Sequence, residues 1–443
     1  MSDVPFGFRS DDDDDDSLPQ QRGGSGSPAS GGSGSGDPLS DLFAAFGGGG
    51  AAGMPDLGQM LQQLGQMLSW SGGPVNWDLA NQSARQVVSA GGDRSVSSSE
   101  RRDVEDAFRL ADTWLNDATV FPASGSSPRT WSRAEWVEGT HAAWRELVDP
   151  VAARVSEAMS RALPPEMTQA AGPLVGMMQQ LGVSMWGAQV GQSIGKLAGE
   201  VLGSTDVGLP LAQGHPVLLP ANVRAFGQGL GVDDRDVYLY LALRELAHLR
   251  LYAHAPWLRS HLMSLVEEYA RHINVDTDRI ESSLRDIDPQ RPEAIQEALE
   301  GGLFDMPTTP AQQAALERLE LALALIEGWV HDVVTQAAGE RLPSSGALAE
   351  TVRRRRATGG PAEQTFATLV GLELRPRKLR EAATFWSTVR AERDAESRDA
   401  MWAHPDLLPT ADDLSDPKSF MNRDELDPSM LDDTDPDPDS DGS

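Results

Sequence analysis

Apolar residues recur at helical spacing along most of the chain, and few segments alternate between apolar and polar residues as a half-buried strand would. The clearest helix is predicted at 234–254, where a long apolar pattern follows Asp233 and ends before Pro256. Further helices are predicted at 257–272, 311–338, 346–356, 362–372 and 376–403. A short extended segment or edge strand is predicted at 216–220, which is flanked by prolines. The pattern therefore predicts a mainly α fold with few or no strands.

The most apolar stretch, residues 166–203, has a glycine at every fourth position near its end. These glycines are Gly187, Gly191, Gly195, Gly199 and Gly203. A helix with this spacing exposes bare backbone along one side, so a neighbouring backbone can approach closely. Charged and amide side chains interrupt the stretch, and charges are costly inside a bilayer, so we predict a buried helix of a soluble domain and no membrane span.

Both ends of the chain differ in composition from its middle. Residues 1–73 are rich in Gly, Ser and Asp and predict a disordered leader, with a short amphipathic helix near 56–70. This helix could dock on the chain itself or on a partner, and docking on the chain is favoured. Residues 405–443 are rich in Asp and Pro and predict an acidic disordered tail. A single large helical domain is expected between them, at 74–404.

Composition narrows the classes of function. The net charge of −30, from 67 acidic and 37 basic residues, argues against nucleic acid as a partner, because phosphate binding depends on Lys and Arg. The four arginines at 353–356 are better explained as a solvated or internally paired helix end. The absence of cysteine excludes disulfides, thiolate catalysis and Cys-bound metals. The first residues do not resemble a targeting segment, so we expect a cytoplasmic protein.

The candidate chemistry lies in the predicted helix 234–254. Arg244 and His248 are four residues apart, so they share a helical face, and Glu245 lies between them in sequence. In the HExxH motif of zinc peptidases, this spacing lets two histidines bind one Zn²⁺ while the glutamate takes a proton from the bound water. Here the first ligand position holds an arginine, which has no lone pair for a metal and repels a cation.

A second candidate segment lies about 80 residues further on, in the predicted helix 311–338. Glu327 could supply a carboxylate ligand from this helix. His331 follows four residues later on the same face, so His248, Glu327 and His331 could form a three-ligand set in which Arg244 has no part. Alternatively, Arg244 takes over the electrostatic role of the metal by pairing with Glu327 or Glu245, and the site holds no metal.

Residues 75–415 resemble the actinobacterial zincin-like metallopeptidase type 2 family, whose members are sometimes labelled hydrolases. The resemblance is carried by RELAHLRLYAHAPWLRSHL (244–262), LIEGWVHDVV (325–334), RRRRATGGPAEQTFATLVGLELRPRKLREA (353–382) and MWAHPDLLPTADDL (401–414). It implies a multi-helix zincin-like fold with the active-site helix at 234–254 and, where the metal site is intact, a zinc cofactor, but it does not supply the substrate. It also implies that Glu245 is the general base and that His248 and Glu327 are metal ligands.

Two functions from different classes follow. The first is hydrolysis of a peptide or amide bond at a zinc site altered by Arg244. The second is binding or scaffolding of a peptide or protein partner by a zincin fold without activity or metal. The sequence does not specify the substrate or the oligomeric state.

Overall fold

The computed structural model describes residues 73–162, 172–272, 309–357 and 378–423. The predicted helices near 56–70 and at 362–372, and most of the predicted tails, lie outside the described residues. The described residues all belong to one compact unit, Gln62–Ser443.

Twelve α-helices and two short strands make up the described part of the chain. They are α1 (Trp77–Ala90), α2 (Ser98–Leu115), β1 (Arg129–Thr130), α3 (Arg133–Ala162), α4 (Gly172–Ala198), β2 (Val217–Leu218), α5 (Pro220–Gly227), α6 (Asp234–His254), α7 (Pro256–Arg271), α8 (Pro310–Ala338), α9 (Ser345–Ala357), α10 (Leu379–Glu392), α11 (Ala395–Ala400) and α12 (Pro417–Arg423). The strands pair in parallel, Arg129 with Val217 and Thr130 with Leu218. The predicted mainly α fold is confirmed.

Most of the predicted helices lie within one or two residues of those observed, because local signals mark their ends. Asp233 caps α6 by accepting a hydrogen bond from the backbone N–H of Arg235, and α7 begins at Pro256. The single helix predicted at 376–403 is wrong: α10 ends at Glu392, and Asp394 caps the separate helix α11 by accepting from the backbone N–H of Ser397. The predicted short strand at 216–220 is present as β2.

The glycine-lined face of α4 packs against the backbone of α1. A Cβ atom added to Gly187 would lie 2.6 Å from the carbonyl oxygen of Asn76, and one added to Gly195 would lie 2.8 Å from that of Ala84. A Cβ on Gly191 would collide with the carbonyl group of Ala80. The predicted close approach of a second backbone is therefore confirmed for these three glycines, and α1 is the helix that makes it.

Helices α6 and α8 form the centre of the domain. Every residue of α6 from Val237 to Leu251 is buried, including Arg244, Glu245 and His248. A helix that is buried on all sides needs partners for each polar side chain that it carries. The polar groups of α6 therefore decide which elements pack around it.

A buried ion-pair network fixes α8 against α10 and α11. Asp332 of α8 accepts from Arg390 of α10 at 3.0 Å and from Arg398 of α11 at 2.8 Å. Arg398 is fully buried and also pairs with Asp399 at 2.8 Å. Asp399 accepts in turn from the indole N–H of Trp329, at 2.8 Å. The network anchors the helix that carries Glu327.

The described structure continues beyond the boundary predicted at residue 405. A 3₁₀ turn at Pro405–Leu407 and helix α12 follow that boundary. Phe420 of α12 packs edge-on against Phe385 of α10, with ring centroids 5.2 Å apart. The domain therefore includes residues that the acidic composition had assigned to the tail. Within the described residues, no helix has the length and apolar character needed to cross a membrane.

Candidate functional site

Three side chains of the predicted site meet between α6 and α8. The guanidinium of Arg244 donates from Nη2 to Oε2 of Glu327, at 2.6 Å. The Nε2 atom of His248 lies 3.0 Å from Oε1 of the same carboxylate. His248 is oriented by its other ring nitrogen, which lies 2.8 Å from the carbonyl oxygen of Arg244. The predicted pairing of Arg244 with Glu327 is therefore present, and the one with Glu245 is replaced by other bonds of Glu245.

A second arginine contacts the same carboxylate. Arg356, at the end of α9, places Nη2 at 2.7 Å from Oε1 of Glu327 and also donates to the carbonyl oxygen of Asp206, at 2.8 Å. Its neighbour Arg355 pairs with the carboxylate of Asp206 at 3.2 Å. Glu350 pairs with the first two arginines of the run. Of the two predictions for the arginine run, internal pairing is confirmed.

The charge state of this cluster follows from its contacts. Glu327 is 2% exposed, and such burial raises the pKa of a carboxyl group. The nearby Arg356, His248 and Arg244 outweigh that effect and hold the pKa of Glu327 well below its ordinary value. Burial lowers the pKa of Arg244, but Glu327 outweighs it and raises this pKa overall. Glu327 is thus an anion between two permanent cations.

Glu245 is occupied by a different part of the chain. Its Oε1 accepts from the backbone N–H groups of Ser204 and Val217, at 2.9 and 3.1 Å, and from the Ser204 hydroxyl. Its Oε2 accepts from the backbone N–H and the hydroxyl of Thr205, at 3.1 and 2.6 Å. A carboxylate has about four lone-pair sites, so these five donors fill it. Its role as general base stays a prediction, and its hydrogen bonds serve to anchor the 203–217 segment.

Gly203 explains how this segment reaches Glu245. A Cβ atom on Gly203 would lie 2.6 Å from Oε2 of Glu245 and 2.7 Å from the carbonyl oxygen of Val217. Only a residue without a side chain fits there. The last glycine of the four-residue repeat therefore has a different function from the glycines of α4.

His331 is one turn beyond Glu327 on α8 and is half-buried. Burial, and then the positive charges of Arg244 and Arg353, lower its pKa, so it is neutral at pH 7. Among the described residues, no hydrogen bond connects His331 to His248 or Glu327. Its membership of a three-ligand set stays a prediction.

The side chains around Glu327 do not fit a divalent zinc ion. One imidazole and one carboxylate can donate to a metal, and zinc sites in enzymes normally have three protein ligands. Each oxygen of Glu327 is paired with a guanidinium group, one from Arg244 and one from Arg356. A guanidinium group has no lone pair for a metal ion and repels a cation. Within the described ranges, no three His, Asp or Glu side chains converge on a common point.

The sequence does not identify four residues that lie against the predicted site residues. Arg356 is one of four arginines in a row, and nothing in the sequence marks it as the one that pairs with a buried carboxylate. Tyr240 is one turn before Arg244 and is buried close to its guanidinium group. The pair Ser204 and Thr205 has no motif that would have indicated its contact with Glu245.

This architecture matches one family model and one solved structure among known proteins. A family model described as zincin-like metallopeptidase matches residues 75–421. A solved structure, described as a "putative hydrolase with a novel fold" from Chloroflexus aurantiacus, aligns with a TM-score of 0.54 and 22% identity, covering 80% of this chain and 99% of that one. This likeness concerns the fold alone. No curated protein is significantly similar in sequence. The family match spans most of the chain, and the chain therefore belongs to the zincin-like metallopeptidase family.

Proposed function

We propose that this chain is a zincin-fold protein that binds a peptide or protein partner without hydrolysing it, and that Arg244 and Arg356 take the place of a metal ion. The double ion pair on Glu327 carries the proposal, because it supplies the positive charge that a cation would otherwise supply. The peptidase-like family favours a peptide or protein as the ligand.

The hydrogen bonds of Glu245 support the same proposal. A general base needs a free lone pair directed at the proton that it removes. Five donors already engage Glu245, and all of them belong to the fold itself. We infer that Glu245 stabilises the segment 203–217, which also carries Asp206 to the arginine run.

Hydrolysis of a peptide or amide bond is the second candidate, and the family match favours it. In that case Glu245 would be the base, and His248, Glu327 and His331 would be the ligands. Glu327 would first have to release both guanidinium groups, which is costly because each would remain buried without its carboxylate. Either function is compatible with the cytoplasmic location that is expected from the sequence.

Zinc content and peptidase activity of the full chain distinguish the two functions. The protein is equilibrated with zinc, dialysed and analysed by mass spectrometry, and then incubated with a mixed peptide library. We expect zinc far below one ion per chain and no cleavage above that of a Glu245→Gln variant. Stoichiometric zinc that is lost in a His248→Ala variant, together with cleavage that Glu245→Gln abolishes, would establish the hydrolase instead.

A further inference from the structure

We propose that the guanidinium groups of Arg244 and Arg356, with Arg353 at their edge, form a binding site for an oxyanion, either a carboxylate or a phosphate group of the ligand. This inference deepens the proposed function, on which it rests, by naming the chemical group that the partner presents. The site lies where α9 meets α6 and α8.

The positive charges that contact Glu327 outnumber its single negative charge. Two guanidinium groups, Arg244 and Arg356, contact this single carboxylate at 2.6 and 2.7 Å. The carboxylate of Asp206 pairs with Arg355, and Arg356 reaches only the main-chain carbonyl of Asp206. Among the described residues, Arg244 and Arg356 carry two positive charges, and Glu327 is the one carboxylate that they contact. One positive charge of this pair therefore has no carboxylate of its own. Excess buried charge is costly, and an anionic ligand would remove that cost.

The guanidinium groups of the cluster carry several N–H donors each. Each guanidinium carries five N–H groups in a planar fork that suits carboxylate and phosphate oxygens. Arg353 pairs through Nη2 with Glu350, at 2.9 Å, while its buried Nε atom has no hydrogen-bond partner among the described residues. A buried donor of this kind gains a partner when an oxyanion binds.

The three arginines differ in their exposure to solvent. The exposed fraction of the side chain rises from 10% for Arg244 to 13% for Arg356 and 38% for Arg353. The arginines thus lead from the buried carboxylate towards the solvent. The chain as a whole carries a net charge of −30, whereas this cluster of arginines is locally positive. The cluster would therefore attract an anionic group at this point of the surface.

Titration of the full chain with two probes tests the site. The probes are inorganic phosphate and a short peptide with a free C-terminal carboxylate, and the amidated form of the same peptide is the control ligand. Isothermal titration at low salt measures the affinity. We expect saturable binding of phosphate or of the free-acid peptide, and whichever binds more tightly identifies the preferred group. Arg356→Ala should weaken it about 10- to 100-fold, because a charged hydrogen bond is lost.

Arg354→Ala is the matched control, because Arg354 belongs to the same run but its side chain is 77% exposed. We expect the control to bind within about two-fold of the natural chain, since surface ion pairs contribute little. If Arg356→Ala does not fold, Arg356→Lys replaces it, and we expect about ten-fold weaker binding because the fork is lost.

Three results would overturn the site. The first is that neither probe shows saturable binding. The second is that the amidated and free-acid peptides bind equally and phosphate does not bind. The third is that the Arg354 and Arg356 variants lose the same amount of affinity. Zinc content is measured on the same samples, so that a failure of the oxyanion site can be distinguished from a failure of the proposed metal-free function. A zinc-free chain that binds neither probe refutes the oxyanion site alone.

Discussion

Removing the carboxylate of Glu327 should destabilise the fold more than removing either of its arginines. Glu327→Gln preserves the size of the side chain but leaves Arg244 and Arg356 buried without their shared partner. Breaking a buried ion pair in this way costs about 3–5 kcal/mol. Arg244→Met is the comparison variant. It leaves Glu327 paired with Arg356 at 2.7 Å, so it should cost only about 1.5–3 kcal/mol.

The dependence of this difference on pH provides an internal check. The folded-state pKa of Glu327 lies well below its ordinary value of 4.5, so its contribution to stability is fully present above that pH. It is lost as the pH falls through the lower, folded-state pKa. The gap in unfolding free energy between the natural chain and Glu327→Gln should therefore be constant between about pH 6 and 8 and narrow only below about pH 4.5.

Urea unfolding, followed by tryptophan fluorescence, measures both quantities, and Arg109→Ala serves as a surface control because its side chain is 75% exposed. A loss of stability in Glu327→Gln that is no larger than in Arg244→Met would refute the role of Glu327 as the shared anion of two arginines. This role is also refuted if the gap narrows already between about pH 6 and 8, since Glu327 would then not be the anion that the two arginines hold.

Three further predictions concern the surroundings of the site and use the same unfolding assay. Glu245→Ala should cost at least about 3 kcal/mol because it strips five donors of their acceptor, and a loss below about 1 kcal/mol would contradict the anchoring role. Gly191→Ala should destabilise the chain because its Cβ would collide with α1, whereas Gly182→Ala, with open space around it, should raise the free energy of unfolding by about 0.5–1 kcal/mol. Equal effects of the two substitutions would refute the close approach of α4 to α1. Arg398→Met should cost about 3–5 kcal/mol because it leaves the buried carboxylate of Asp399 without its arginine, while Asp332 keeps Arg390, and an effect as small as that of a surface substitution would refute the network.

The helices could be predicted from the sequence because their periodicity and end signals are local. The extent of α6 follows from its cap at Asp233 and from the proline at 256. The break between α10 and α11 could not be predicted, because no Gly or Pro marks it in the sequence and the cap at Asp394 is a single side chain. The composition of residues 405–423 indicated a tail, but aromatic packing of Phe420 outweighs their polarity.

The site could be predicted only in part. Spacing within one helix places Arg244 beside His248, and the resemblance connected both to Glu327. The contacts of Glu245 could not be predicted, since they depend on how the 203–217 segment folds over α6. The same limit applies to Arg356, because four consecutive arginines look alike in sequence and only tertiary packing selects the one that reaches Glu327.

Zinc affinity measured by isothermal titration tests the replacement of the metal by arginine most directly. The natural chain is compared with the double variant Arg244→His/Arg356→Ala, which supplies an imidazole at position 244 and removes the second guanidinium. We predict no stoichiometric binding by the natural chain and measurable one-to-one binding by the double variant. One-to-one zinc binding by the natural chain, lost on His248→Ala, would contradict the account.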